Sequence, residues 1–183
     1  MKNDSISTPP FKFETERLTL RKPSLDDAQH IFNEYAQNAK VTKYMNWLPH
    51  TSVETTQNFI GNCCQWWENG EEFSWVITHK TENTPIGMIS LRINDFKAIL
   101  GYVLSESYWN KGYISEAAKI LINWALNQSE IHRVWAFCDI ENPASAKVME
   151  KVGMKREGIL KRWALHPNLP NNPRDCICFA ITK

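Results

Sequence analysis

No apolar run in this sequence is longer than a handful of residues, Ile120-Leu121-Ile122 being typical. None reaches the ~20 residues that a helix needs to cross a bilayer. The N-terminus, Met1 to Pro10, is polar and lacks the apolar segment of a secretory signal. These absences predict a cytoplasmic chain, with residues 1–12 as a disordered tail and 13–183 as a single domain. A basic excess is missing too: 21 Lys and Arg stand against 20 Asp and Glu, a net charge of +1. That balance excludes a general nucleic-acid or membrane-surface binder, while leaving room for a local basic patch. The five cysteines, Cys63, Cys64, Cys138, Cys176 and Cys178, include no pair with the spacing of a zinc knuckle, so no metal is expected. They read as buried free thiols; a nucleophilic cysteine would need a positioned base beside it. Repeats and low-complexity linkers are absent as well.

What is present is patterned. Arg17 to Arg21 alternates with period two, as a half-buried strand does, and Pro23 ends it. Leu25 to Gln37 reads as a helix capped by Ser24, with Leu25, Ala28, Phe32 and Tyr35 on its apolar face. A second helix starts at Thr51 or Ser52, runs to about Glu68 and is closed by Asn69-Gly70. Three strands follow, Phe73–Thr78, Ile86–Ile93 and Ile99–Leu104, close enough in sequence to form an antiparallel meander. The pattern then changes to helix 115–127, strand 134–139, helix 143–152 and strand 176–181, an alternation that implies a crossover. The sum is an α/β chain with a mixed sheet. Trp66, Trp124 and Trp135 fall within elements and are expected in the core; Trp47 and Trp163 fall in turns and are expected at the surface.

Two stretches can carry chemistry. In the first, strand 101–104 enters a polar turn with Lys111-Gly112, and a helix begins at once. A helix N-terminus offers unpaired N–H groups and the positive end of a dipole, and with a glycine at its approach it can cradle phosphate oxygens. In the second, Asn142 suits an N-cap, Pro143 the first helical position and Gly153 the residue after the helix, whereas Ser145 has no evident structural task.

Taken together, these stretches resemble the GNAT superfamily of acetyltransferases, in its RimJ/RimL-like branch. The likeness covers nearly the whole chain. It runs from Phe13-Glu14-Thr15-Glu16-Arg17-Leu18-Thr19-Leu20-Arg21, through the Trp109-to-Ala117 segment, to Asn142-Pro143-Ala144-Ser145 and Val152-to-Gly158. It implies a mostly antiparallel N-terminal sheet, a splayed parallel strand pair and flanking helices. Acetyl-CoA is the implied co-substrate. Its pyrophosphate would rest on the backbone N–H groups of Lys111, Gly112, Tyr113, Ile114 and Ser115. Its pantetheine arm would pair with Tyr102, Val103 and Leu104 and with Asn142, and Ser145 would lie near the sulfur. The branch's usual first loop glycine is Asn110 here, a residue that tolerates left-handed backbone, and Ile114 takes a usually small position.

The implied reaction is direct attack of an amine on the thioester, with the N–H of Val103 or Leu104 polarising the carbonyl and Ser145 assisting the leaving sulfur. Glu106, Glu72, His50, His166 and Asp175 are base candidates by residue type alone. Tyr102 and Tyr108 are alternative proton donors, or packing residues. The Pro/Asn-rich loop Trp163–Asp175, with Trp47, His50 and His166, is expected to wall the acceptor site. The expected acceptor is a protein N-terminal amine, such as that of a ribosomal protein. The alternatives are an aminoglycoside or other small amine, or a non-catalytic acyl-CoA-binding module. A homodimer is compatible with the family.

Overall fold

The structure is a computed structural model that describes residues 8–183. One mixed sheet runs through it. Strands β1 (Lys12–Glu14), β2 (Leu18–Arg21), β3 (Phe73–His79), β4 (Pro85–Asn94) and β5 (Lys97–Leu104) lie side by side in sequence order. They are followed by β6 (Arg133–Asp139), β8 (Arg174–Thr182) and β7 (Lys155–Ala164). Every neighbouring pair is antiparallel except β5 and β6.

Helices cover both faces of the N-terminal half. On one side lie an irregular helical segment, α1 (25–36), and the long helix α3 (Val53–Asn69), packed over Val76, Met88 and Val103. On the other, α4 (Tyr113–Asn127) and α5 (Pro143–Lys151) pack over Ile77, Ile89, Leu104 and Val134. Burial on both faces explains why β3 and β4 read as nearly unbroken apolar runs rather than as alternation. The caps follow the local chemistry. Ser52 Oγ accepts from Thr55 N at 3.2 Å, and Gly70 ends α3 with φ 70°.

Several expectations are corrected. Helix 25–37 is not one regular helix: a 3-10 turn (Leu25–Asp27), a short α stretch (Ala28–Ile31) and a π turn (Phe32–Ala36) succeed one another. Leu25 is exposed and Ile31 takes its place in the core. The short helix α2 (Ala39–Thr42) and strands β1 and β7 have no counterpart in the sequence reading. The core tryptophans are Trp67 and Trp75; Trp66, Trp124 and Trp135 are half-buried. The tail expected over 1–12 falls mainly on residues 1–7, outside the described residues. Pro9 is buried, Pro10 O accepts from Trp75 Nε1 at 3.1 Å, and Phe11 lies 5.5 Å from the Trp67 ring. All five cysteines are free, and burial pushes Cys63 and Cys138 up to about 12 and Cys176 to about 11, which keeps them thiols at neutral pH. No helix among the described residues is long and apolar enough to cross a membrane.

Gly87 shows how tightly β5 is held. A Cβ added there would meet Val103 O at 2.4 Å and Leu104 Cα at 3.1 Å, backbone atoms that cannot step aside. Gly87→Ala is therefore expected to cost roughly 2–3 kcal/mol, as overpacking does, read as a lower urea midpoint at unchanged m-value. An unaltered midpoint would mean that the β4–β5 contact is looser than described.

Candidate active site

The parallel pairing of β5 and β6 is brief. Lys97, Ala98 and Ile99 pair with Arg133, Val134 and Trp135, and the pairing then stops. Strand β5 continues to Leu104 against β4, and β6 continues to Asp139 against β8, so the two diverge toward their C-terminal ends. Ser105 N donates to Ile86 O on the β4 side at 2.9 Å. Period-two alternation then turns the N–H of Val103 toward β4 and those of Tyr102 and Leu104 toward the gap. Both helices that follow these strands, α4 and α5, begin at this open end, where α/β sheets bind ligands.

A cleft of about 560 Å³ fills the gap. It brings together Tyr102, Val103, Leu104, Gly112, Tyr113, Ile114, Ser115, Asn142 and Ser145. Asn110 and Gly112 both have left-handed backbone, φ 61° and φ 80°, and Gly112 is the N-cap of α4. Lacking a side chain, it leaves the first-turn N–H groups uncapped. Asn110 thus takes the conformation a glycine would, and the buried Ile114 directs its bulk into the core. Lys111 does not line the cleft: its Nζ donates to Ser107 O at 2.9 Å and lies 5.3 Å from the Tyr108 ring.

At the second helix, Asn142 Oδ1 accepts from Ser145 N at 3.2 Å, the N-cap bond. Ser145 Oγ is 2.7 Å from the Tyr102 hydroxyl, which reaches across from β5. Burial pushes Tyr102 well above the ordinary phenol range, so it stays a neutral phenol at neutral pH.

The proposed acceptor wall sits elsewhere. His50 Nδ1 is 2.8 Å from Thr56 Oγ1, its ring lies tilted against Trp47 and edge-on to Phe59, and burial lowers its pKa. His166 is buried with Nε2 3.8 Å from Cys176 Sγ. Neither histidine nor Trp47 lines the cleft. The expected loop 163–175 is shorter, because Trp163 and Ala164 belong to β7 and Arg174 and Asp175 to β8. The remaining 165–173 segment acts from behind: Asn168 Nδ2 donates to Thr42 O and Trp47 O, each at 2.8 Å, and so props up the turn after α2. None of the base candidates lines the cleft. Glu106 pairs with Lys40, Glu72 with Arg92 and Asp175 with Lys161.

The sequence reading missed the wall that α2 and the turn after it supply, Lys40, Val41, Lys43, Tyr44 and Met45. It also missed Lys147 and Lys151, one turn apart on α5. The lysine pair was legible from its i, i+4 spacing at the helix already singled out. The α2 wall was not, because only chain folding brings it to the gap.

Residues 17–155 match the acetyltransferase (GNAT) domain family. The chain belongs to that family. It is accordingly an N-acetyltransferase, and its diverging strand pair is the GNAT fold. An uncharacterized N-acetyltransferase of Bacillus licheniformis, p20, is 33% identical over 152 residues, covering 81% of this chain and 85% of the relative. The [ribosomal protein uS5]-alanine N-acetyltransferase of Escherichia coli is 24% identical, covering 96% and 93%. Among solved structures, a GNAT acetyltransferase from Bacillus anthracis superposes with TM-score 0.81 at 30% identity, over 93% of this chain and 98% of that one. The Microcin C7 self-immunity acetyltransferase MccE, solved with acetyl-CoA and AMP, gives TM-score 0.84 at 22% identity over 97% and 99%, a likeness of fold alone.

Proposed function

We propose that this GNAT enzyme transfers the acetyl group of acetyl-CoA to the N-terminal α-amino group of a protein, such as a ribosomal protein. The observation that carries the donor half is the glycine-capped N-terminus of α4 opening onto the diverging ends of β5 and β6. Uncapped N–H groups at a dipole's positive end suit a diphosphate, and the free edge of β5 suits the amide-bearing pantetheine arm. Among the described residues, Lys40, Lys43, Lys147 and Lys151 line the cleft and no carboxylate does, which suits a polyanionic donor. The MccE neighbour, solved with acetyl-CoA, supports the same donor.

The acceptor half rests on two observations. A polycationic aminoglycoside would call for carboxylates, and among the described residues none lines the cleft. The full-length relative acts on the uS5 alanine. In the reaction, the neutral amine attacks the thioester carbon while the Leu104 N–H bonds the developing oxyanion. The C–S bond then breaks and the electron pair leaves with sulfur. Ser145 donates its proton toward the thiolate and takes one back through the Tyr102 hydroxyl, which is re-protonated from solvent. The proton lost by the amine passes to water, since among the described residues no carboxylate or histidine lines the cleft.

A thiol-release assay with N-terminal peptides, aminoglycosides and polyamines side by side tests this. Release with peptides alone is expected; release with aminoglycosides alone would overturn the acceptor assignment. Ser145→Ala is expected to lower kcat roughly 10–100-fold while changing KM for acetyl-CoA less, and Tyr102→Phe to do so more weakly. An unchanged kcat in Ser145→Ala would remove the serine from the mechanism.

A further inference from the structure

The opening motif Thr15-Glu16-Arg17 has no role in the chemistry above, yet the Thr15 and Arg17 side chains converge on the α4 turn from 99 to 101 residues away in sequence. Glu116, in the first turn of α4, is the focus. Its Oε1 accepts from Thr15 Oγ1 at 2.5 Å and from Arg17 N at 2.9 Å. Its Oε2 accepts from Arg17 Nε at 2.7 Å and lies 2.6 Å from Arg17 Nη2. The arginine's remaining nitrogen, Nη1, donates to Lys111 O at 3.1 Å, between the two left-handed residues Asn110 and Gly112. The guanidinium also lies 4.5 Å from the centroid of the Tyr113 ring.

One arginine thus holds the carbonyl before Gly112, the ring after it and the carboxylate in the helix that follows. A Lys could not replace it, because only a planar fork bonds a carboxylate and a carbonyl while stacking on a ring. The strained turn needs such a restraint: residues held at left-handed φ persist only where their surroundings impose it.

We infer that the Thr15–Arg17–Glu116 cluster is a positioning clamp for the diphosphate-binding turn, with Arg17 and Glu116 acting on donor affinity through the backbone at 110–113. This rests on the donor half of the proposed function. Arg17 does not bind phosphate in this arrangement; its charge is spent on Glu116. The clamp therefore acts on the diphosphate end of the donor and leaves the pantetheine end alone.

The test is calorimetry with CoA and ligand-observed NMR competition with pantetheine, which lacks the diphosphate. Both are run on the wild type, Glu116→Gln, Arg17→Lys and the milder Thr15→Val, with melting temperatures alongside. Expected is a tenfold or greater loss of CoA affinity in Glu116→Gln and Arg17→Lys, the scale of a charge-assisted network, with pantetheine affinity unchanged. Wild-type affinity for CoA in both variants would overturn the clamp, as would equal losses for CoA and pantetheine, which would indicate general loosening. Should those two variants melt far below the wild type, Thr15→Val decides by the same ratio. A wild type that binds no CoA would instead overturn the donor assignment itself.

Discussion

Gly112→Val is expected to weaken acetyl-CoA binding at least ~100-fold, about 2.7 kcal/mol. The residue sits at φ 80°, where an L side chain costs roughly 1–2 kcal/mol and a β-branched one more. Space is not the obstacle. A Cβ would lie 3.5 Å from Lys151 Nζ and 3.7 Å from Arg17 Nη2, ordinary contacts. The strain is relieved only by rotating Gly112 out of the left-handed region, and that rotation re-aims the N–H groups of Tyr113, Ile114 and Ser115. The rest of α4 is anchored by Ala117, Ala118 and Leu121 in the core, so the fold should survive and the loss should fall on the ligand. Asn110→Gly is the matched control. At φ 61° glycine fits at least as well, and affinity should stay within about threefold. Calorimetry with acetyl-CoA measures both, and equal affinities for wild type and Gly112→Val would show that the turn does not hold the diphosphate.

Asp139→Ala is expected to destabilise the protein by about 3 kcal/mol, the scale for removing one partner of a buried ion pair. Asp139 is fully buried at the end of β6, where it accepts from Arg174 Nε at 2.7 Å, Arg174 Nη2 at 3.1 Å and Glu141 N at 2.8 Å. Its loss leaves Arg174, among the described residues, with only the exposed Glu141 as counter-charge and frees the turn that delivers Asn142 and Ser145 to the cleft. Activity should therefore fall together with stability. The pH dependence has a definite sign. Burial pushes the Asp139 pKa up, but hydrogen bonds from Arg174 and Glu141 N outweigh it and hold the carboxyl below its usual range. A depressed carboxyl stabilises the fold fully above the unfolded value, about 3.9, and that contribution is lost as pH falls through the lower folded value. Urea denaturation between pH 7 and pH 2.5 should show this acid-side slope in the wild type and a shallower one in Asp139→Asn. Parallel curves would mean that Asp139 has no special stake in the native state.

Much of the architecture was readable locally. Alternation at Leu18–Arg21, the Ser52 and Asn142 caps and the glycine ends at Gly70 and Gly153 each depend on neighbours a few residues away. So does the left-handed turn at 110–112, since Asn and Gly carry that preference wherever they sit. Strand β7 was missed because it is a mostly exposed edge whose residues carry no alternation. The tryptophans were misassigned because a helical face can be read off the spacing but not which face turns inward: Trp66 and Trp67 are adjacent, and only packing on Phe73 and Trp75 selects Trp67.

By itself the amino-acid order determined most of the element types, the caps and a phosphate-ready helix start, all properties of short-range hydrogen bonding and steric preference. Only the folded chain decided that β5 and β6 part after three paired residues, that Tyr102 meets Ser145 across the gap, and that Arg17 grips Glu116. Those are contacts between residues 36 or more apart in sequence. They are set by how two packed faces share one sheet, and no local preference encodes that.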